Sequence, residues 1–129
     1  MSDKQYEIIC DEDEHIVHLN VYGEIEKDVE EKAITEARTK AAENKYNILC
    51  DVRQAKINVT FVDWFYLPRK LDVYSKTKTV KSAILITPWQ QEEEYSFFET
   101  VAHNLGFKIR IFTKEKDAIE WLRVAGNIK

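Results

Sequence analysis

Val80-Lys81-Ser82-Ala83-Ile84-Leu85-Ile86-Thr87 is the stretch on which the fold turns. Its centre, Ala83 to Ile86, is apolar without alternation. A strand wet on one side alternates apolar and polar residues. An unbroken apolar run therefore predicts a central strand covered on both faces, as in parallel sheets. Pro88 and Trp89 close the run as a loop. Parallel neighbours cannot be joined by tight turns, so helical crossovers are expected on either side in sequence.

The flanks supply them. Downstream, Glu92 to Leu105 reads as a helix with Tyr95, Phe98, Val101, Ala102 and Leu105 inward, capped by Gly106. Phe107 to Phe112 is a strand in which Lys108 and Arg110 alternate with Ile109 and Ile111. Thr113 is the expected cap of a last helix with the stripe Ala118, Ile119, Leu122, ended by Gly126. Upstream, Thr60 is the expected N-cap of a helix carrying Phe61, Trp64, Phe65, Leu71 and Tyr74. Pro68 should kink or split that helix, because its ring removes a donor and crowds the preceding turn. Arg53 to Val59 reads as a loop and Tyr46 to Val52 as a strand. Lys27 to Asn44 is a helix whose stripe is Val29, Ala33, Ala37 and Ala41, with Ile34 beside it. Acids open that helix and bases follow, which suits the helix dipole. Tyr6–Cys10 and His15–Tyr22 form a hairpin across Asp11–Glu14, with Gly23 ending it. The order β-β-α-β-α-β-α-β-α predicts an α/β fold, a five-stranded, mostly parallel mixed sheet in a single domain spanning residues 1–129.

Composition narrows the function classes. The chain has 129 residues, 44% hydrophobic and 33% charged, with a net charge of −4. Its pI is near 5.4. Nucleic-acid binding is disfavoured, because phosphate contacts need a concentrated basic surface. Lys76, Lys78 and Lys81 are the densest basic stretch, and it is short. The N-terminus opens polar, without an apolar signal core, and no run approaches a membrane span. Cys10 and Cys50 lie in strand-like runs and are expected buried and reduced, as in a cytoplasmic protein.

Chemistry-bearing motifs are sparse. The three glycines are isolated, so neither GxGxxG nor a P-loop occurs, and no cofactor is expected. His15 and His18, three apart on a strand, face opposite ways, and His103 has no partner at i+4, so no metal site is expected. Asp11, Asp13 and Glu14 lack the Gly and the closing Glu of a calcium loop. No Ser sits in a nucleophile elbow, and nothing beside Cys50 would lower its pKa. Glu92-Glu93-Glu94 is the acidic start of a helix. Asp51, with Arg53 after it, stands at the carboxyl end of a parallel strand, where open α/β sheets place ligand-binding groups. The plain reading of Asp51 is a carboxylate that accepts loop amides or pairs with Arg53. Trp64, Phe65, Tyr66 and Trp89 supply more aromatic surface than one helix face buries, which suggests an apolar groove or self-association patch.

Four segments carry a family resemblance: Ile48-Leu49-Cys50-Asp51-Val52-Arg53, Leu67-Pro68, FFETVAHNLGF at Phe97–Phe107, and RIFTKEKDAIEWL at Arg110–Leu122. From Tyr6 to Leu122 the chain resembles uncharacterised bacterial proteins with a SpoIIAA-like, or STAS-like, fold. The resemblance implies a βα superhelix related to anti-sigma-factor antagonists and, more remotely, to Sec14-type lipid-binding domains. In the antagonists a phosphorylatable Ser lies after the third strand, in an Asp-Ser-Ser-Gly context. Here the region reads Asn58-Val59-Thr60-Phe61, with Thr60 as its only hydroxyl. The expectation is a non-enzymatic binding or regulatory module acting through protein–protein contacts, as a homo-oligomer such as a dimer. Alternation in the hairpin and the fifth strand motivates it, since the helices could leave part of one sheet face for a partner. The alternative is a carrier of a small apolar, lipid-like ligand, with Trp64, Tyr66 and Trp89 along a groove. An enzyme would need further titratable groups near Asp51.

Overall fold

A computed structural model describes residues 5–124. The strands are β1 (Tyr6–Asp11), β2 (Ile16–Glu26), β3 (Asn47–Asn58), β4 (Ser82–Leu85) and β5 (Ile109–Phe112). The helices are α1 (Lys27–Asn44), α2 (Phe61–Lys70), α3 (Asp72–Lys76), α4 (Glu92–Asn104) and α5 (Glu115–Arg123). The strands form one sheet in the order β1-β2-β3-β4-β5. β1 and β2 are antiparallel, and every other pair is parallel. The expected element order and mixed sheet are both present.

Helices cover the sheet unequally. On one face α1 lies against β2 and β3, α4 against β5, and α2 against α4. Ala33, Ala37 and Ala41 are buried along α1, and their small side chains let the helix approach the strands. Together with Val17, Leu19, Val21, Ile48 and Ile84 they belong to the main core. On the opposite face α5 stands alone over β3, β4 and β5. There Ile16, Leu49, Ala83, Leu85, Ala118 and Leu122 form a second, smaller core. Buried Lys81 closes the end of α5, donating from Nζ to the carbonyls of Trp121 at 2.8 Å and Val124 at 2.6 Å. Leu85 and Ile86 are 0% and 1% exposed, in agreement with a strand covered on both faces.

Several expectations are corrected. β2 does not end at Gly23, nor does β3 end at Val52: the two run on together, with Tyr22 opposite Gln54 and Glu26 opposite Asn58. The segment read as a loop after Arg53 is strand as far as Asn58. A bulge opposite Asn20/Tyr22 gives β3 one extra residue, which returns Ala55 and Ile57 to the core face. Gly23 permits the continuation because its φ is +78°, a conformation that L side chains rarely adopt. β4 leaves β3 after Asp51. Two side-chain amides then stand where a strand would be. Gln90 Nε2 donates to the carbonyls of Val52 and Ala55, and Gln91 exchanges a pair of bonds with Ile57, both at 3.1 Å. The second helix does split, but at Leu71, with Pro68 kept inside α2. Lys114, not Thr113, occupies the N-cap of α5. His15 lies in the hairpin turn at φ +58°, not on the strand. Cys10 is exposed rather than buried. Gly126 falls outside the described residues.

Candidate functional site

Asp51 sits at the point where β4 leaves β3, on the face that carries α5. Its Oδ1 accepts from the Arg53 amide and from Arg53 Nε, both at 3.0 Å, and its Oδ2 accepts from Arg53 Nη2 at 2.8 Å. Arg53 Nη2 also reaches Glu115 Oε1 at 3.5 Å, in the first turn of α5. Burial pushes the Asp51 carboxyl up, but the hydrogen bonds and charge of Arg53, helped by His18, outweigh this and hold it below its ordinary value. All three hydrogen bonds that Asp51 accepts come from its neighbour Arg53, which is the plain reading of the pair.

Thr60 is the N-cap of α2, as expected. Its Oγ1 accepts from the Asp63 amide at 3.1 Å, and Asp63 Oδ2 accepts from the Thr60 amide at 3.0 Å, a reciprocal capping box. The aromatic residues do not meet. Tyr66 is 53% exposed on α2, beside Phe61, Val62 and Phe65. Trp89 is 83% exposed, over a shallow depression with Gly23, Arg53 and Gln54. Only Trp64 turns inward, at 2% exposure. No groove is shared by Trp64, Tyr66 and Trp89.

Trp64 instead lines a partly open cavity of about 70 Å³ between the sheet and α1, α2, α3 and α4. Leu19, Val21, Ile48, Val52 and Ile84 form its floor, and Ala33, Ala37, Leu67 and Phe98 part of its roof. The wall is overwhelmingly apolar, and a few polar groups interrupt it. The indole of Trp64 and the ring of Tyr95 are 4.8 Å apart at their centroids. Trp64 Nε1 and Tyr95 Oη are both buried without a hydrogen-bond partner. Glu30 is half-buried and contributes the only carboxyl to the lining. Burial, reinforced by Glu31 and Asp63, pushes that carboxyl up to about 8. Glu31 and Asp63 themselves face Lys70 at 2.7 Å and Lys27 at 3.4 Å.

Arg38 and Cys50 also belong to the lining. Arg38, 2% exposed, donates from Nε to Thr77 Oγ1 and from Nη2 to the Thr77 carbonyl, both at 2.8 Å. Its guanidinium lies 4.7 Å from the centre of the Tyr74 ring. Cys50 also lines the cavity, and burial pushes its thiol up to about 12, far from a reactive thiolate. Among the described residues, no group of three His, Cys, Asp or Glu side chains gathers closely enough to hold a metal ion. No helix there is long and apolar enough to cross a membrane.

Sequence reading passed over Glu30, Arg38 and Tyr95 as site residues. One signal was available. Glu30, Ile34 and Arg38 follow one another at spacing four beside the alanine stripe, so two ionisable residues occupy helix positions that face the sheet. Arg38 was read as part of the dipole pattern; it turns inward instead.

No protein-family model matches the chain, and no curated protein does. Among solved structures the fold is similar to that of an uncharacterised DUF3478-family protein with a SpoIIAA-like fold from Shewanella loihica. The match has a TM-score of 0.56 at 17% identity and covers 95% of this chain and 98% of that one. The likeness is one of fold, and the fold is SpoIIAA-like.

Proposed function

We propose, with that fold as the frame, that this is a non-enzymatic small-molecule-binding module whose site is the cavity above β2, β3 and β4. The observation that carries the reading is the wall itself: mainly aliphatic and aromatic, and including the side chains of Trp64 and Tyr95, whose Nε1 and Oη are buried and unpaired. Sites for small molecules combine apolar walls with a few convergent polar groups. Buried polar groups in a domain interior are ordinarily paired, and these two helix side chains on the cavity wall are not. A binding role rather than catalysis is supported by an Asp51 paired with Arg53 and by a Cys50 thiol held far above neutrality. Xenon, which enters dry apolar cavities, tests the site. Under xenon pressure the methyl resonances of Leu19, Leu67 and Ile84 should shift while those of Leu49 and Leu85 stay. Uniform shifts, or none, would remove the reading.

A regulatory module acting through protein contacts is the second reading, and one observation favours it: Phe61, Val62, Phe65 and Tyr66 are exposed together on α2. The uncovered face of β1 and β2 supports it less. Ile9 is its exposed apolar residue, while Tyr22 Oη donates to Glu7 Oε2 at 2.8 Å and Asn20 reaches the same oxygen at 3.5 Å. If copies of the chain meet through α2, light scattering should show a mass that rises with concentration and that Tyr66→Asp returns to one chain. A constant monomer mass would sink the self-association.

A further inference from the structure

The proposed site leaves its ligand unspecified, and the charge on its wall narrows it. Arg38 is 2% exposed and lines the cavity from α1. A guanidinium does not give up its proton inside a protein. Burial holds its pKa below the ordinary value, and Tyr74 is the neighbour that opposes this. The Tyr74 phenol is itself pushed up by burial, so it stays neutral. Among the described residues Arg38 forms no ion pair. Glu30, the only carboxyl of the lining, does not offset the charge either, because burial raises it to about 8 and keeps it protonated at neutral pH. The wall therefore carries one uncompensated positive charge. A buried charge is costly until a counter-charge meets it.

Counting donors shows where that counter-charge belongs. A guanidinium presents five N–H donors in a planar fork. Nε and Nη2 form one edge, and both donate to Thr77, at Oγ1 and at the carbonyl. Thr77 is outside the lining of the cavity. Nη1 stands away from that edge and has no partner among the described residues. Trp64 Nε1 and Tyr95 Oη are sealed from any water-sized atom, and Arg38 Nη1 is not. Nη1 and the second hydrogen of Nη2 make a further fork, whose two parallel N–H groups match the two oxygens of a carboxylate. The ring of Tyr74, 4.7 Å from the guanidinium, lines the same cavity and fixes the plane of the fork.

The rest of the wall sets the remainder of the ligand. It is mostly hydrocarbon, with Ala37 from α1 and Ile48, Ile84 and Ile109 from the sheet. A volume of about 70 Å³ is roughly half that of an apolar cavity that takes benzene, room for about four or five heavy atoms. Phosphate or sulfate would bring more charge than one guanidinium offsets and no apolar part for this wall.

We infer that the cavity binds a short aliphatic monocarboxylate, of about two to four carbons, with its carboxylate on the free Nη1/Nη2 fork of Arg38 and its chain against the isoleucines. The inference rests on the binding role proposed above and names the ligand class.

Propanoate and propanamide share a shape and differ in charge. Both should be titrated into the full chain at neutral pH and constant ionic strength, with the Arg38 Nε–H and the methyl resonances of Ile48 and Ile109 followed by NMR. Propanoate should shift all of these, leave the methyls of Leu49 and Leu85 in place, and bind at least about fivefold more tightly than propanamide. Arg38→Met should bring the two ligands within about twofold of each other. Should that variant fail to fold, the comparison of the two ligands on the parent chain decides by itself. Hexanoate, too long for the volume, should bind more weakly than propanoate. Equal affinity for acid and amide, a preference that survives Arg38→Met, tighter binding of hexanoate, or shifts confined to surface lysines would each overturn the ligand class. Xenon separates that failure from failure of the site. A cavity that admits xenon but not propanoate refutes the carboxylate alone, and one that admits neither removes the binding role as well.

Discussion

The two faces of the sheet are built from the same strands and solve burial differently. Under α5 the core is small and polar groups are consumed: Asp51 by Arg53, the end of α5 by Lys81, Asn47 by the Lys81 amide and the Leu122 carbonyl. Under α1, α2 and α4 the core is larger, encloses a cavity, and leaves Trp64 and Tyr95 unpaired. Residues that look chemical in sequence are on the first face; residues that look structural make the candidate site on the second. The lesson is that satisfaction, not residue type, separates bracing from binding. A buried polar group bonded to its neighbours has little left to offer a ligand.

The largest effect that could break this comparison concerns packing. Leu85, fully buried on the α5 face and outside the lining of the cavity, should cost about 3–5 kcal/mol when truncated to Ala. Leu19 is nearly as buried but lines the cavity, so it already lacks partner atoms on one side. Leu19→Ala should cost less, about 2–3 kcal/mol. Urea denaturation of both variants measures the difference. Equal costs would mean that the two faces are packed alike.

The second test uses two carboxyls with opposite signs. Glu30 gains a proton on folding, since its folded value is about 8 against 4.5 unfolded. Stability from this source is full below the lower value and falls as pH rises through the window between them, by up to about 1.4 kcal/mol per pH unit. Asp51 is held below its ordinary value, so its contribution is present above that value and is lost as pH falls. Glu30→Gln should therefore flatten the loss of stability between mildly acidic and mildly alkaline pH and leave the acid limb unchanged. Urea midpoints across that range decide it. Identical profiles for the variant and the parent would place Glu30 outside the cavity's electrostatics.

Tyr95→Phe comes third. It deletes an unpaired buried hydroxyl and keeps the ring against Trp64, so it should stabilise the ligand-free chain by about 1 kcal/mol. A loss of stability instead would show that the hydroxyl has a partner in solution.

Much of this architecture was legible because its periodicity is local. The alanine stripe of α1, the apolar run of β4 and the Thr60 cap are each read from neighbours within a few residues, and each is where it was expected. The run of β3 through Arg53 to Asn58 was not, for a non-local reason. Gln54 and Lys56 face solvent and carry no strand signal, and the partners that complete the segment are Gln90 and Gln91, more than thirty residues away. The candidate site was half legible. Trp64 and Tyr95 could be read as inward, but whether a buried group is orphaned depends on distances to acceptors on other elements. Tyr66 and Trp89 were grouped with Trp64 by residue type, and helix geometry and the loop after β4 send them elsewhere.

The smallest expected effect bears most directly on the comparison. Asp51 is where sequence reasoning looks first for function, at the carboxyl edge of a parallel pair. Asp51→Asn keeps an oxygen for the Arg53 amide and Nε and removes the charge that faces Nη2. The Asp51 and Arg53 side chains are 27% and 39% exposed, so water screens the pair. The cost should be about 0.5 kcal/mol, the ordinary worth of an exposed ion pair. The xenon response of Leu19, Leu67 and Ile84 should not change, because Asp51 and the cavity lie on opposite faces. A loss above about 2 kcal/mol, or any change in the xenon response, would mean that the α5 face contributes to binding. The two faces would then be one coupled site, and the division between a braced side and a binding side would fall.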